Sequence, residues 1–204
     1  MADMEIVKAK FEEVNSRKLV PDIVGTPRTL NPVLSEKDII FFQKKFSVEL
    51  PEDYIFYLTN IANGGLGPSM EMIALDLNGV KDPRIIDDGE SSEIDLAANF
   101  PFESAWNDNS VLKYDDRLPN DVFDNYWAIK KISGSIPIGI FGCGEIALLI
   151  VNGMRRGDIW RDDRMRRSGI YPLNEGANTS FADWLDMWLD DVLNGVGQYD
   201  RRGD

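Results

Sequence analysis

Two punctuated stretches do most to limit what this chain can fold into. The first runs from Leu50-Pro51-Glu52-Asp53-Tyr54 to Asn63-Gly64-Gly65. Proline suits the first helical turn, where its missing N–H costs nothing, and a glycine that tolerates positive φ can end a helix. The second runs from Ile136-Pro137-Ile138-Gly139 to Gly142-Cys143-Gly144-Glu145 and continues into the apolar run Ile146 to Val151. That order of residues reads as a strand, a tight glycine turn and a central return strand. A helix closed by glycine and a hairpin closed by glycine belong to a mixed fold.

The flanking segments extend this reading. Met4, Val7, Phe11 and Val14 recur at helical spacing and predict an N-terminal helix to about Ser16. Three prolines and Gly25 between Pro21 and Pro32 exclude a regular helix, so residues 1–34 read as a helix followed by an extended arm. Ser35-Glu36-Lys37-Asp38 has the form of a capping box and opens a helix carrying Ile39, Phe42 and Phe46 on one face. Met70 to Leu77 reads as a strand, and Gly157-Asp158-Ile159-Trp160 as another. Aromatic residues from Phe100 to Trp127 are scattered among turn formers and give no periodic pattern. The clearest helix comes last. Ser180 and Asp183 cap it, Phe181, Trp184, Leu185, Trp188, Leu189 and Val192 form its apolar stripe, and Asn194-Gly195 stops it. Helices, then mostly strands, then a helix give an α+β single domain, a largely antiparallel sheet flanked by helices, over residues 35–193. Residues 194–204 read as a flexible tail.

Composition narrows the chemistry. The chain has no histidine, which closes Ser-His-Asp, Cys-His and histidine-based zinc sites. Its single cysteine, Cys143, lies between two glycines and has no histidine base, so it reads as a packed small residue. One cysteine, an acidic N-terminus without an apolar run, and no stretch near the ~20 apolar residues of a membrane span predict a cytoplasmic protein. Asp158, Asp162 and Asp163 lie beside Arg161 and Arg164, a pattern of ion pairs more than of a Mg²⁺ cage. No cofactor and no metal are expected.

Acidic residues number 35 against 22 basic, a formal net charge of −13. That opposes nucleic acid and anionic lipid, and leaves a basic protein partner or simple solubility as readings. The one basic island, Arg155, Arg156, Arg161, Arg164, Arg166 and Arg167, is interleaved with aspartates and is expected to pair within the molecule or with a neighbouring subunit. Asp76, Asp82, Asp87, Asp88, Glu90, Glu93 and Asp95 form the candidate partner-contact segment, with a solvated loop as the alternative.

In this order and spacing the chain resembles the SUKH superfamily, named partly after the Smi and Knr cell-wall regulators. The resemblance is carried by Ser35 to Ile39, Leu50 to Tyr54 with Pro51, Asn63-Gly64-Gly65, Ile136 to Ile138, Gly142-Cys143-Gly144-Glu145, Gly157 to Trp160 and Ser180 to Trp184. With no evident nucleophile, base or metal cage the chain is expected to be non-enzymatic, and the resemblance implies an α+β fold and, in bacteria, immunity proteins that bind and neutralise toxins, frequently nucleases. Some members instead act as scaffolding or regulatory modules. The segment between Leu77 and Ile136 is longer and more acidic than the resemblance implies, and the first 34 residues fall outside it.

Overall fold

A computed structural model describes residues 2–20, 29–85, 92–114 and 117–196. Part of the arm, the acidic residues Asp87, Asp88 and Glu90, and the last eight residues lie outside them. The helices are α1 (Met4–Arg17), α2 (Glu36–Phe46), α3 (Glu52–Asn60), α4 (Asn120–Trp127) and α5 (Phe181–Leu193). The strands are β1 (Glu71–Met72), β2 (Ser135–Gly142), β3 (Glu145–Ile150), β4 (Ile159–Asp162) and β5 (Ile170–Pro172). They form an antiparallel meander in the order β1-β2-β3-β4-β5.

The sheet follows from the residues at its centre. All six residues of β3 are buried, as a strand covered on both faces requires. β2 reaches β3 through a two-residue turn, Cys143-Gly144, with φ of 51° and 75°. Positive φ at both central residues matches the right-handed twist of paired strands. Cys143 is exposed in that turn, not packed.

Helices α1 and α3 gather on α5. Its Ser180 hydroxyl accepts from the Asp183 N–H at 3.1 Å, as its sequence indicates. Phe181 packs edge-on against Tyr54 and Tyr57 of α3, with ring centroids 5.0 and 5.2 Å away. Trp184 reaches Phe141 of β2. Asp53 ties the first turns of α3 and α5 together, accepting from Tyr54 N at 2.9 Å and from Ala182 N at 3.0 Å. Burial pushes the Asp53 carboxyl above its ordinary pKa despite these bonds. The box at Ser35 and Asp38 forms in both directions. α1 joins the same core. Val7, Phe11 and Val14 are buried, and Phe11 meets Trp188 at 5.6 Å and Tyr57 at 6.2 Å.

Three local readings change. The segment Met70 to Leu77 contributes only the two residues of β1: Ile73 N still donates to Ile138 O of β2 at 2.9 Å, but the Asn63 side chain then takes the backbone of Leu75, accepting from its N–H and donating to its carbonyl. Pro51 precedes the first helical turn as the N-cap of α3. Gly64 and Gly65 do not end α3, which stops at Asn60. They turn the chain toward β1 with φ of 84° and 98°, and Gly65 bridges Leu30 on one side and Met72 on the other. A β-carbon at Gly65 would sit 2.2 Å from the Thr29 carbonyl oxygen. Gly65→Ala is therefore expected to lower stability by about 1–3 kcal/mol, read as a fall in the urea midpoint.

The scattered aromatics also acquire a role. Trp160, Phe100, Phe102, Trp106, Tyr126 and Trp127 form a continuous file with successive centroids 5.0 to 5.9 Å apart. This file fastens Phe100, Phe102, Trp106 and α4 to β4.

Candidate functional site

The acidic segment is built on a short backbone ladder. Ile94 N donates to Val80 O at 2.8 Å, Asp82 N donates to Ser92 O at 3.1 Å, and Lys81 bridges Glu93 between them. Apolar Val80 and Ile94 are buried, so the intervening Glu93 is turned outward. Asp95 is exposed one alternation further on and accepts from Ala97 N at 3.0 Å and Ala98 N at 3.2 Å. Asp76 is exposed before the ladder and accepts from Asn78 N at 2.8 Å. These bonds orient two of the carboxylates while leaving them on the surface.

Asp82 behaves differently from its neighbours. It is 3% exposed and holds Arg84 through Nε at 2.9 Å and Nη2 at 2.6 Å. Arg84 also donates to Asp162 of β4 at 2.7 Å. Arg164 grips the same Asp162 through Nε at 2.8 Å and Nη2 at 2.6 Å, and donates Nη1 to the Tyr126 carbonyl. Both guanidinium groups lie 5.1 Å from the Trp127 ring. The four charges balance, and the arrangement locks the acidic ladder and α4 onto the end of β4. Burial opposes ionisation of Asp162, but its bonds to Arg164 and the charges of Arg164 and Arg84 hold its carboxyl below the usual range. The same carboxylates hold Arg84 firmly protonated against burial.

The sequence pointed to Asp82 as a partner contact, whereas this geometry gives it a structural bond. Arg84 and Trp127 were not singled out. Arg84 and Asp162 lie 78 residues apart, so no local spacing connects them.

The basic island is consumed internally. Arg155 pairs with Asp158 at 3.2 Å. Arg156 donates to the Glu49 and Leu50 carbonyls. Arg161 and Arg166 share the buried Glu145. Arg167 donates to the Val111 and Tyr114 carbonyls. Asp162 is filled by guanidinium groups where a cation cage would need open oxygens. Trp160, Trp184 and Trp188 are core residues. Gly142 and Gly144 serve the hairpin turn, with φ of 99° and 75°.

The result is an α+β domain with an antiparallel five-stranded meander, helices α1 and α3 packed on α5, and an acidic ladder held by an internal ion network. The chain belongs to the SMI1/KNR4 family (SUKH-1), whose sequence model matches residues 33–190. No curated protein and no solved structure matches the chain. Among the described residues no helix is long and apolar enough to cross a membrane.

Proposed function

We propose that this chain is a non-enzymatic protein-binding module that neutralises a toxin domain by direct binding, within the cytoplasm of the cell that it protects. The observation that carries the reading is the acidic ladder: exposed carboxylates on a surface segment that the Arg84–Asp162 bond fixes to the sheet. Preorganised charge of one sign meets a partner of the opposite sign with fast encounter and little ordering cost. A toxin acting on nucleic acid carries a basic site, so it fits such a face. Asp76, Glu93 and Asp95 are the proposed contacts, together with Asp87, Asp88 and Glu90, which lie outside the described residues. Membership of the SMI1/KNR4 family, which the SUKH resemblance associates with immunity and with regulatory scaffolds, supports a binding role.

The testing experiment captures partners on tagged protein at low and high salt and identifies them by mass spectrometry. One stoichiometric basic protein with a toxin-like domain is the expected result. Several substoichiometric partners would favour a regulatory scaffold instead. With a captured partner in hand, the Asp76→Lys, Glu93→Lys, Asp95→Lys triple variant should associate at least ~10-fold more slowly at low ionic strength, with the difference shrinking as salt rises. Equal association rates for native protein and variant at low salt would remove this face from the interface. Asp82 is left unchanged in this variant because its loss would disturb the fold.

A further inference from the structure

A second surface differs in charge from the ladder. Between α4 and the 3₁₀ turn Arg164–Arg166 lies a cavity of about 390 Å³. Its apolar wall is Leu118, Phe123, Trp127 and Met165, and its polar wall includes Arg117, Arg164 and Arg167. Among the described residues no carboxylate lines it, although the chain as a whole carries a net charge of −13. Phe123 and Met165 are 49% and 55% exposed, so large apolar side chains stand at the rim instead of being withdrawn into the core.

The three arginines are not equivalent. Arg164 is neutralised by Asp162 and serves as a fixed wall. Arg167 donates to main-chain carbonyls. Arg117 is exposed and has no hydrogen-bond or ion-pair partner among the described residues. A guanidinium without a partner among the described residues, beside exposed aromatic and thioether side chains, matches the composition of energetically dominant interface residues. The floor is rigid, because Trp127 is held by Arg84 and Arg164.

We infer that this cavity is a protein-docking site for an acidic segment of a partner that carries an aromatic or long aliphatic anchor. The anchor enters between Phe123, Trp127 and Met165, and a flanking carboxylate meets Arg117 as a charge-assisted pair. Charge complementarity selects this occupant, since a basic segment would face arginine with no acid among the described lining residues. The inference goes beyond the acidic-face reading. It stands or falls without it, because the ladder takes basic features and this cavity takes acidic ones.

The test titrates isotopically labelled full-length protein with a short acetylated peptide alternating aspartate with phenylalanine and leucine, followed by ¹H–¹⁵N NMR. A Trp127→Phe variant assigns the indole N–H of Trp127. Two control peptides replace aspartate by lysine, or phenylalanine and leucine by alanine. The expected result is saturable shifts at the Trp127 indole and at residues 117–127 and 164–167, with both controls at least ~10-fold weaker. Arg117→Glu, which breaks no internal bond among the described residues, should weaken binding by at least ~10-fold as well. Phe123→Ala, also at an exposed position, supplies a second variant with the same expected loss. Absence of shifts at about 1 mM peptide, shifts elsewhere on the molecule, equal binding of the lysine control, or unaltered binding by both variants would each overturn the inference.

Discussion

Asp162→Ala is expected to destabilise the protein by about 3–5 kcal/mol, a large share of the roughly 5–15 kcal/mol that holds a typical domain together. Asp162 is fully buried and serves two guanidinium groups at 2.6 to 2.8 Å. Its removal leaves Arg164, itself 1% exposed, with the Tyr126 carbonyl as its only side-chain hydrogen-bond partner among the described residues, and strips Arg84 of its link to β4. The penalty comes from charge left uncompensated in a dry interior, not from the intrinsic strength of the pair. A double variant, Asp162→Leu with Arg164→Met, should therefore be less destabilised than Asp162→Ala alone, because it buries one unpaired cation fewer. Urea unfolding of the native, single and double forms makes the comparison. Equal losses in the single and double variants would contradict it. In the single variant the amides of Asp82 and Ile94, which bond across the ladder, should also exchange faster with solvent.

The same site predicts a direction with pH. The folded-state pKa of Asp162 is lowered, so its contribution is complete above the ordinary aspartate value of about 3.9 and is lost as pH falls through the lower folded value. Asp53 has the opposite sign. Its raised pKa means that its ionisation works against the fold, and Asp53 favours folding most below the ordinary aspartate value.

The second large effect concerns α1. Phe11→Ala should cost about 3–5 kcal/mol, since Phe11 is 1% exposed and contacts both Trp188 of α5 and Tyr57 of α3. Shortening the chain to begin at Val33, where the family match begins, should do more. It would remove Phe11 together with the fully buried Val7 and Val14, each worth roughly 1.5–3 kcal/mol of burial, and expose the aromatic face beneath them. Lys10 reinforces the attachment by pairing with Asp186 at 2.7 Å and Asp190 at 2.6 Å of α5. Its pKa is raised because these two carboxylates outweigh partial burial. Circular dichroism and urea titration of the shortened chain provide the check. A fully cooperative transition with an unchanged midpoint would show that α1 is an appendage.

What could be read from the sequence was whatever is encoded locally. The Ser35–Asp38 box, the stripe of α5, the periodicity of Val7, Phe11 and Val14, and the Gly142-Cys143-Gly144 turn each place their signal within a few residues, and each forms. Met70 to Leu77 failed as a full strand because the Asn63 side chain competes for the backbone of Leu75, a long-range bond without a sequence signature. Phe100, Phe102 and Trp106 have no period because they lie outside any regular helix or strand and join Trp160 of β4 to Tyr126 of α4. Asp82 illustrates the limit for the site. Beside six other acids it resembles one more surface carboxylate, and only the fold brings Arg84 and Asp162 to it. Composition did anticipate the fate of the arginine island, since cations interleaved with acids on an acidic chain find intramolecular partners before external ones.

The most direct test of neutralisation by binding is a growth measurement. The captured basic partner is expressed alone and together with this chain, with the Asp76→Lys, Glu93→Lys, Asp95→Lys variant as a third arm. Growth arrest by the partner alone, relief by the native chain and diminished relief by the variant are the expected results. A partner that leaves growth unaffected, or arrest that persists although the native complex forms, would contradict the account.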